Sequence, residues 1–314
     1  MRFVVDDAPW APAEVAAAEL NDSLDLLAER IHEALARGEG VGYYVALYQH
    51  ALVGDDTLYT LVYGPENPRQ MARDVRLRLA RAIDRIGSSF AEDELPALEV
   101  AIAGQSYLAP SIVLAWAEVH QGHAVACLTP PSSGRSGPTA VEVIGETAKV
   151  HFVHDKASHV GFFRHAIVLE KADEDGFARL AASAFPNLSF VEGVWRGLRD
   201  LSRPFRDRRD ELIRHLGILS DHGAHIFALK LTRQIESAFM GIKLTLSQEN
   251  KETLADATCR KARERVFGRE TLVFDWHTKI ELHLDRIHIH PGTANSHQQV
   301  IIGIIHRHLP LPGD

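Results

Sequence analysis

Cysteine is scarce in this chain, and its placement excludes several kinds of protein. The 314 residues contain two cysteines, Cys127 and Cys259, and neither belongs to a CxxC motif. A disulfide-stapled secreted domain or a paired-cysteine zinc module needs more thiols at closer spacing. No stretch reaches the roughly 18 apolar residues of a membrane-spanning helix, and the chain does not begin with the long apolar run of a signal peptide. We therefore expect a reduced, cytoplasmic protein without a membrane partner.

Positive charge is also in deficit, which limits the nucleic-acid binding that the chain can support. Lysine and arginine total 34 against 42 aspartates and glutamates, so the net charge is −8. A general nucleic-acid coat protein would need a surplus of positive charge to neutralise phosphates. From Gly241 onward 10 basic residues stand against 9 acidic ones, whereas the rest of the chain has 24 against 33. A polyanion site must therefore be local, and the last part of the chain is where we expect it.

The first 157 residues have the pattern of a mixed α/β domain, for which we predict a regulatory or sensor role. Leucine and isoleucine at three- and four-residue spacing predict an amphipathic helix over about 13–37. Apolar runs at 41–47 and 57–63, separated by Gly54-Asp55-Asp56, predict a β-hairpin. No Walker A sequence and no Gly-x-Ser-x-Gly nucleophile elbow occurs in the chain, so the sequence assigns this domain no nucleotide loop or serine nucleophile.

The pattern of residues 158–240 is helical, and it predicts an Arg-rich helical connector. A solvated helix face of mixed charge and an RNA-docking arginine face both fit this composition. The arginines concerned are Arg196, Arg199, Arg203, Arg206, Arg208, Arg209 and Arg214.

Residues 241–314 predict a third, small domain with the element order β-α-β-β-β, so that the whole chain has an α/β (α+β) fold. The predicted elements are a strand at 242–246, a helix at 247–266 and strands at 271–277, 284–290 and 299–306.

Three short segments of this last domain carry five histidines, one lysine and two arginines. They are Trp276-His277-Thr278-Lys279, Arg286-Ile287-His288-Ile289-His290 and Ile304-Ile305-His306-Arg307-His308. In a strand, alternate side chains share a face, so Arg286, His288 and His290 are expected on one side while the isoleucines enter a core. Imidazoles that titrate near neutrality beside fixed cations are what acid-base chemistry on a phosphodiester needs.

The β-α-β-β-β order, with the His-x-His segments and the apolar run 300–305, resembles the small ribonuclease toxins of the RelE/ParE superfamily. The resemblance covers the last quarter of the chain. It implies a basic sheet face that cuts RNA or ribosome-associated RNA without a metal ion. Fusion to a long amino-terminal region implies a regulated effector of toxin or phage-defence type with an inhibitory protein partner. Some relatives place a tyrosine near the active site, whereas this chain has none after Tyr107.

These considerations give a specific catalytic hypothesis for a metal-independent endoribonuclease. His277 or His288 would be the general base, and His306 or His308 the general acid. Lys279 and Arg286 would hold the phosphate. His290 and Arg307 would complete the substrate-binding surface.

Two alternatives stay open. The pairs His288 with His290 and His306 with His308 have the spacing of two-ligand zinc sites on strands, which would make the protein a zinc-dependent hydrolase. A further ligand would come from Asp275, His277 or His283. The chain could instead be a non-catalytic sensor or interaction protein, and the sequence also allows an oligomer.

Overall fold

Helices alternate with strands along the chain, and the strands form mixed β-sheets, which confirms the predicted α/β class. The computed structural model describes residues 1–91, 95, 99–281 and 284–313. The chain divides into two units, Met1–Glu170 and Lys171–Asp314. None of the described helices combines the length and apolar character that crossing a lipid bilayer requires.

The first unit contains ten strands and five helices among its described residues. The strands are β1 (Phe3–Val5), β2 (Val41–Tyr44), β3 (Ala51–Val53), β4 (Asp56–Thr57), β5 (Ser88–Phe90), β6 (Glu99–Ile102), β7 (Gln105–Leu108), β8 (Ala126–Leu128), β9 (Gly137–Val143) and β10 (Glu146–Val153). The helices are α1 (Ala17–Ala36), α2 (Leu58–Tyr63), α3 (Arg73–Asp84), α4 (Pro110–His120) and α5 (Lys156–Leu169).

An eight-stranded sheet with the order β5-β2-β1-β8-β10-β9-β6-β7 forms the centre of this unit. The first five strands in that order are parallel, and the last three are joined by antiparallel pairings. Every residue of β1 and β8 is buried. Their uninterrupted apolar sequences are typical of parallel strands that are covered on both faces.

The predicted hairpin over 41–47 and 57–63 is wrong. Strand β2 pairs with β1 and β5, and the second apolar run forms helix α2. Leu58, Leu61 and Val62 are buried at helical spacing, and the side chain of Thr57 caps the helix by accepting a hydrogen bond from the Thr60 amide. Gly54 does mark a turn, but it connects the short strands β3 and β4.

A buried ion pair between Asp6 and Arg135 lies at the carboxyl ends of the adjacent strands β1 and β8. From these two strands the sheet extends in opposite directions, to β2 on one side and to β10 on the other. Asp6 follows β1 and is fully buried. Its Oδ2 accepts hydrogen bonds from Nε (3.0 Å) and Nη2 (2.6 Å) of Arg135 and from the hydroxyl of Thr129 (2.7 Å). Ligands of doubly wound folds usually occupy this crevice. Here a side chain from the β8–β9 loop fills it.

The second unit contains seven strands and five helices among its described residues. The helices are α6 (Glu174–Ala184), α7 (Phe205–Phe227), α8 (Thr232–Gly241), α9 (Lys251–Ala255) and α10 (Ala257–Ala262). The strands are β11 (Leu188–Phe190), β12 (Leu246–Gln248), β13 (Glu264–Phe267), β14 (Glu270–Val273), β15 (Trp276–Lys279), β16 (Asp285–His290) and β17 (Val300–Arg307).

Five of these strands form one sheet in the order β11-β17-β16-β15-β12, and β13 and β14 form a separate hairpin. Strand β11 is parallel to β17, and the other pairs in the sheet are antiparallel. One face of the sheet packs on α7, where the Phe227 and Trp276 rings lie 5.4 Å apart. Ile287 and Ile289 of the central strand β16 are completely buried.

A chain of hydrogen bonds also joins α7 to this face. The Thr278 hydroxyl donates to the Thr245 carbonyl (2.9 Å), so it accepts from Nδ1–H of the buried His215 (2.9 Å). The Nε2 atom of His215 then accepts from the guanidinium of Arg214 (2.7 Å), which also donates to the Lys243 carbonyl. Both ring nitrogens are therefore satisfied only when His215 is neutral.

The structure departs from the predicted division at 157 and 240. Helix α5 packs on β10 and belongs to the first unit. The predicted connector supplies β11, a strand of the second sheet, and α7, which covers that sheet. In the Arg-rich segment, Arg208 is buried and forms ion pairs with Glu281 and Asp285. Neither alternative for this segment includes that internal role.

The predicted β-α-β-β-β order also changes in detail. The helix expected at 247–266 is split into α9 and α10, because Asn250 and Asp256 each cap a new helix start. The strand expected at 271–277 is divided between β14 and β15. A hairpin, β13–β14, is thereby added to the predicted elements.

Candidate functional site

His277 and Lys279 of β15, Arg286 and His288 of β16 and His306 of β17 share the sheet face opposite α7. His277 lies directly opposite His288 in the β15–β16 register, and Lys279 lies opposite Arg286. Arg286 in turn lies opposite His306 of β17. The alternation of side chains along these strands therefore brings together the imidazoles and cations that the sequence predicted to share a face.

Two residues from the α9–α10 region cover this face. Glu249 follows β12, and its amide donates to the Asp275 carbonyl (2.7 Å), which places it beside the start of β15. Arg263 follows α10, is completely buried, and donates through Nη1 to the carbonyls of Cys259 (2.8 Å) and Pro310 (3.1 Å). These backbone contacts fix a carboxylate and a guanidinium over the two histidines.

We refer to the five residues Glu249, Arg263, His277, Arg286 and His288 as the β15–β16 cluster. Nε of Arg263 lies 3.0 Å from Oε1 of Glu249, and Nδ1 of His277 lies 3.4 Å from the same oxygen. The two histidine rings are 5.4 Å apart between centroids. Arg286 stands two positions before His288 on the same face of β16, diagonally across from His277.

Several cluster atoms are buried without a hydrogen bond of normal geometry to any described residue. They are Oε1 of Glu249, Nε and Nη2 of Arg263, Nδ1 of His277, Nε of Arg286 and Nε2 of His288. Oε1 of Glu249 and Nε of Arg263 are ion-pair partners of each other, whereas Nη2 of Arg263, Nε of Arg286 and Nε2 of His288 have no such partner among the described residues. Buried polar atoms are normally hydrogen-bonded, so these atoms call for a ligand, an ion or ordered water.

Burial keeps both cluster histidines neutral. It lowers the pKa of His277 to about 3, and the neighbouring Arg286 and Lys279 add to the effect. It also lowers the pKa of His288 well below the usual range, with His277 and Arg263 contributing. At neutral pH each ring therefore offers a lone pair and carries no extra proton to donate.

The same burial alters the predicted roles of His277 and His288 as direct general bases. His288 is completely buried and His277 is 5% exposed, because β16 is a central strand and its polar face is covered by Glu249, Arg263 and Phe274. An RNA backbone cannot contact His288 in this arrangement. The exposed rim of the cluster is instead formed by two half-buried residues, Lys279 and His308.

The two predicted general acids lie in different surroundings. His308 lies near the cluster, and its pKa is lowered by burial and by Arg286. His306 is at the edge of β17, where its Nε2 lies 3.7 Å from a carboxylate oxygen of Asp200. Its Nδ1 is 2.6 Å from the Arg307 carbonyl. His306 is thus the cross-strand neighbour of Arg286, but its ring nitrogens lie against Asp200 and the Arg307 carbonyl, whereas His308 interacts with Arg286 and His277 of the cluster.

The two predicted substrate-binding residues are also separated from the cluster. Arg307 lies opposite Asp285 in the β16–β17 register, and the period of two puts both on the face opposite His306. Nδ1 of His290 accepts a hydrogen bond from the Gly292 amide (3.1 Å), and its ring packs against Phe274. Neither residue is placed to bind a ligand of the cluster.

The structure groups different metal-ligand atoms from those predicted. Among the described residues, one set of three has its ligand atoms within 4.8 Å of one another: Glu249, His277 and His288. The predicted set His288, His290, His306 and His308 is not brought together. Of the further ligands considered, Asp275 accepts a hydrogen bond from Gln248, and His283 lies outside the described residues.

Sequence reasoning missed Glu249 and Arg263. Both lie within the predicted helix 247–266, to whose charged residues the sequence assigned no role. A usable signal was Asn250, a strong N-cap residue, which shows that the helix starts after Glu249 and leaves this carboxylate near the strand end.

Comparison of the chain with protein-family models, curated proteins and solved structures found no match. The RelE/ParE resemblance therefore rests on the residues quoted above and stays a prediction.

Proposed function

We propose that the second unit cleaves phosphodiester bonds of RNA at the β15–β16 cluster. The supporting observation is an excess of cations: Arg263, Arg286 and Lys279 stand against one carboxylate, Glu249. The cluster is largely shielded from water, where an uncompensated positive charge strongly favours an anionic ligand. A phosphodiester carries one negative charge and accepts the forked hydrogen bonds of a guanidinium.

A polynucleotide would first contact the rim residues, because they are more exposed than the rest of the cluster. Lys279 and His308 are half-buried, and Arg286 is 8% exposed. We assign Lys279 and Arg286 to the phosphate, as the sequence predicted. His308 takes the role of general acid, because it is the predicted acid that lies near the cluster.

The reaction requires two proton transfers and one charge to be stabilised. The ribose 2′-oxygen attacks phosphorus while its proton passes to a base, and the 5′-oxygen leaves after accepting a proton from His308. The products are a 2′,3′-cyclic phosphate and a 5′-hydroxyl. The guanidinium and the ammonium stabilise the extra negative charge on phosphorus. The rim offers no second base, so this proton has to reach the buried part of the cluster, formed by Glu249, His277 and His288, through an intervening water molecule.

The RelE/ParE resemblance supports RNA as the substrate and a restrained effector of toxin or phage-defence type as the biological setting. In this proposal the first unit supplies the sensor. The face that carries the cluster is the one that the resemblance predicts to cut RNA.

The test is RNA cleavage by the full-length protein, since a fragment starting at Gly241 would lack β11 and α7. Total RNA and a fluorescent oligonucleotide are the substrates. Lys279→Gln and His308→Ala should each slow cleavage by about 100-fold, the usual effect of losing a charge-stabilising donor or a proton donor. Lys261→Gln changes a lysine of the same unit that is 81% exposed on α10, and it should cleave as the wild type does.

Cleavage at equal rates by the wild type and both rim variants would contradict the assigned roles. A folded wild-type protein that cuts no RNA over a broad panel would contradict the proposal as a whole. Stable co-purification with a partner protein would then favour the alternative, a non-catalytic interaction protein.

A further inference from the structure

We propose that Glu249, His277 and His288 bind one divalent transition-metal ion, for which Zn²⁺ is the best match. The binding of the ion stands independently of RNA cleavage. What the ion does in the reaction rests on the proposed function.

The donor atoms of the three residues have the spacing of metal ligands. A tetrahedral ion with bonds of about 2.1 Å holds its ligand atoms about 3.4 Å apart. Nδ1 of His277 and Oε1 of Glu249 already have this spacing, at 3.4 Å. The ligand atoms of all three residues lie within 4.8 Å of one another, so closing the site on an ion needs a side-chain movement of about 1 Å.

The hydrogen bonding of His288 leaves one of its ring nitrogens free to bind an ion. Its Nδ1 lies 3.3 Å from the Phe274 carbonyl, which can only accept a hydrogen bond. Nδ1 therefore carries the hydrogen, and Nε2 is left with its lone pair, buried and without a hydrogen-bond partner among the described residues. Metal-binding histidines commonly have this arrangement, in which a carbonyl fixes one nitrogen and the other binds the ion.

The donor set of the three residues favours a transition-metal ion. Two imidazoles and one carboxylate suit Zn²⁺, whereas Mg²⁺ and Ca²⁺ prefer oxygen ligands. Three protein ligands leave a fourth position for water, as in catalytic zinc sites. Arg263 and Arg286 oppose a bare cation, but they are compatible with one that also binds an anion such as hydroxide or phosphate.

Within the proposed cleavage reaction, the ion would supply the missing base. Zinc lowers the pKa of bound water to near neutrality, and the resulting hydroxide can accept the 2′-hydroxyl proton to become water. This role explains how two fully or almost fully buried histidines can serve a reaction that takes place at the rim.

The experiment measures metal binding by the full-length protein without reference to activity. The protein is stripped with a chelator, titrated with Zn²⁺ alone, and analysed for bound metal after gel filtration. The wild type should retain one ion per chain. Glu249→Gln and His277→Ala should each weaken Zn²⁺ binding by more than about 100-fold. Even the loss of a residue that only hydrogen-bonds to a metal ligand lowers metal affinity by about 10–100-fold.

The matched control is His306→Ala, which changes a histidine on the same sheet face outside the proposed ligand set. It should bind Zn²⁺ as the wild type does. Glu249→Gln is nearly isosteric, and circular dichroism would confirm its fold. The thermal midpoint of the wild type should also rise with Zn²⁺, and that of Glu249→Gln should not.

The possible failures are distinguishable. Stoichiometric Zn²⁺ binding without RNA cleavage would support the metal site and contradict the proposed function. RNA cleavage by metal-free protein, unaffected by EDTA, would support the function and contradict the catalytic use of the ion. No retained Zn²⁺ in the folded wild type, or equal retention by both ligand variants, would overturn the metal site.

Discussion

Acidification should weaken the second unit through His215. This histidine is 1% exposed, and both of its ring nitrogens are hydrogen-bonded, to Thr278 and to Arg214. Burial lowers the pKa of His215 to about 3, and the charge of Arg214 adds to the effect. A protonated ring would direct a second N–H at the Arg214 guanidinium, which has no acceptor to offer.

The size of the effect follows from the difference between the folded and unfolded pKa. An unfolded histidine titrates near 6.5, so the unfolded chain binds a proton that the folded chain refuses. Above about pH 6.5 the ring is neutral in both states, so it does not affect the free energy of unfolding. As the pH falls from there towards 3, the unfolded chain gains a proton that the folded chain does not bind, and the free energy of unfolding decreases. Between pH 7 and pH 5, His215 alone should lower the free energy of unfolding by about 2 kcal/mol.

The two buried cysteines allow each unit to be followed separately. Cys259 reports the second unit and Cys127 the first. Urea unfolding would be measured at pH 7 and pH 5 by pulse labelling with a methanethiosulfonate, which reacts in mild acid, and by mass spectrometry. His215→Asn keeps a donor for Thr278 but cannot titrate. It should cost about 1 kcal/mol at pH 7 and lose about 2 kcal/mol less than the wild type on going to pH 5.

The control is His222→Asn, which changes an exposed histidine on the same helix, α7. It should keep the pH dependence of the wild type. The His215→Asn variant and the wild type have all other histidines in common. The difference between their pH-dependent changes in the free energy of unfolding therefore reports His215 alone. If both lose the same stability between pH 7 and pH 5, a neutral, buried His215 is refuted.

Two further substitutions should destabilise one unit each, measured by the same thiol labelling. A Cβ atom on Gly303 would lie 2.3 Å from the buried Phe274 ring, so Gly303→Ala should lower the free energy of unfolding of the second unit by about 1–3 kcal/mol. A decrease below about 0.5 kcal/mol would contradict this packing. Arg135→Leu should cost the first unit about 3–5 kcal/mol by leaving the buried Asp6 carboxylate without its cation, whereas the same change at the exposed Arg73 should have little effect.

The local geometry of the candidate site could be predicted from the sequence. Alternation along a strand is a property of the backbone, so His277, Lys279, Arg286 and His288 could be placed on one sheet face without knowledge of their neighbours. The same rule could have excluded Arg307, which stands one position from His306 and therefore points to the other face.

The burial of the site could not be predicted, because it depends on residues that are distant in the chain. Arg263 reaches the cluster only because α10 and the segment near Pro310 hold its backbone and guanidinium in place. The helical pattern around Arg263 is the same whether it faces solvent or a sheet. Long-range packing of this kind leaves no periodic signal in the sequence.

The division of the chain was obscured for a similar reason. Strand β11 has three residues and lies within a segment of helical pattern. Its partner is β17, and the paired residues Leu188 and Val300 are 112 positions apart. A short strand that pairs so far along the chain has no local turn signal, so the segment was assigned to a connector.

The position of β17 between β11 and β16 has a consequence for biosynthesis. Every strand of that sheet except β17 has been translated before Val300 is added, yet β11 and β16 meet only through it. Ribosomes deliver residues in order, at about 5–20 per second. A nascent chain that stalls before this segment therefore lacks the strand that joins β11 to β16, and it also lacks His308. The proposed cleavage, which uses His308, would therefore begin only once translation has passed β17.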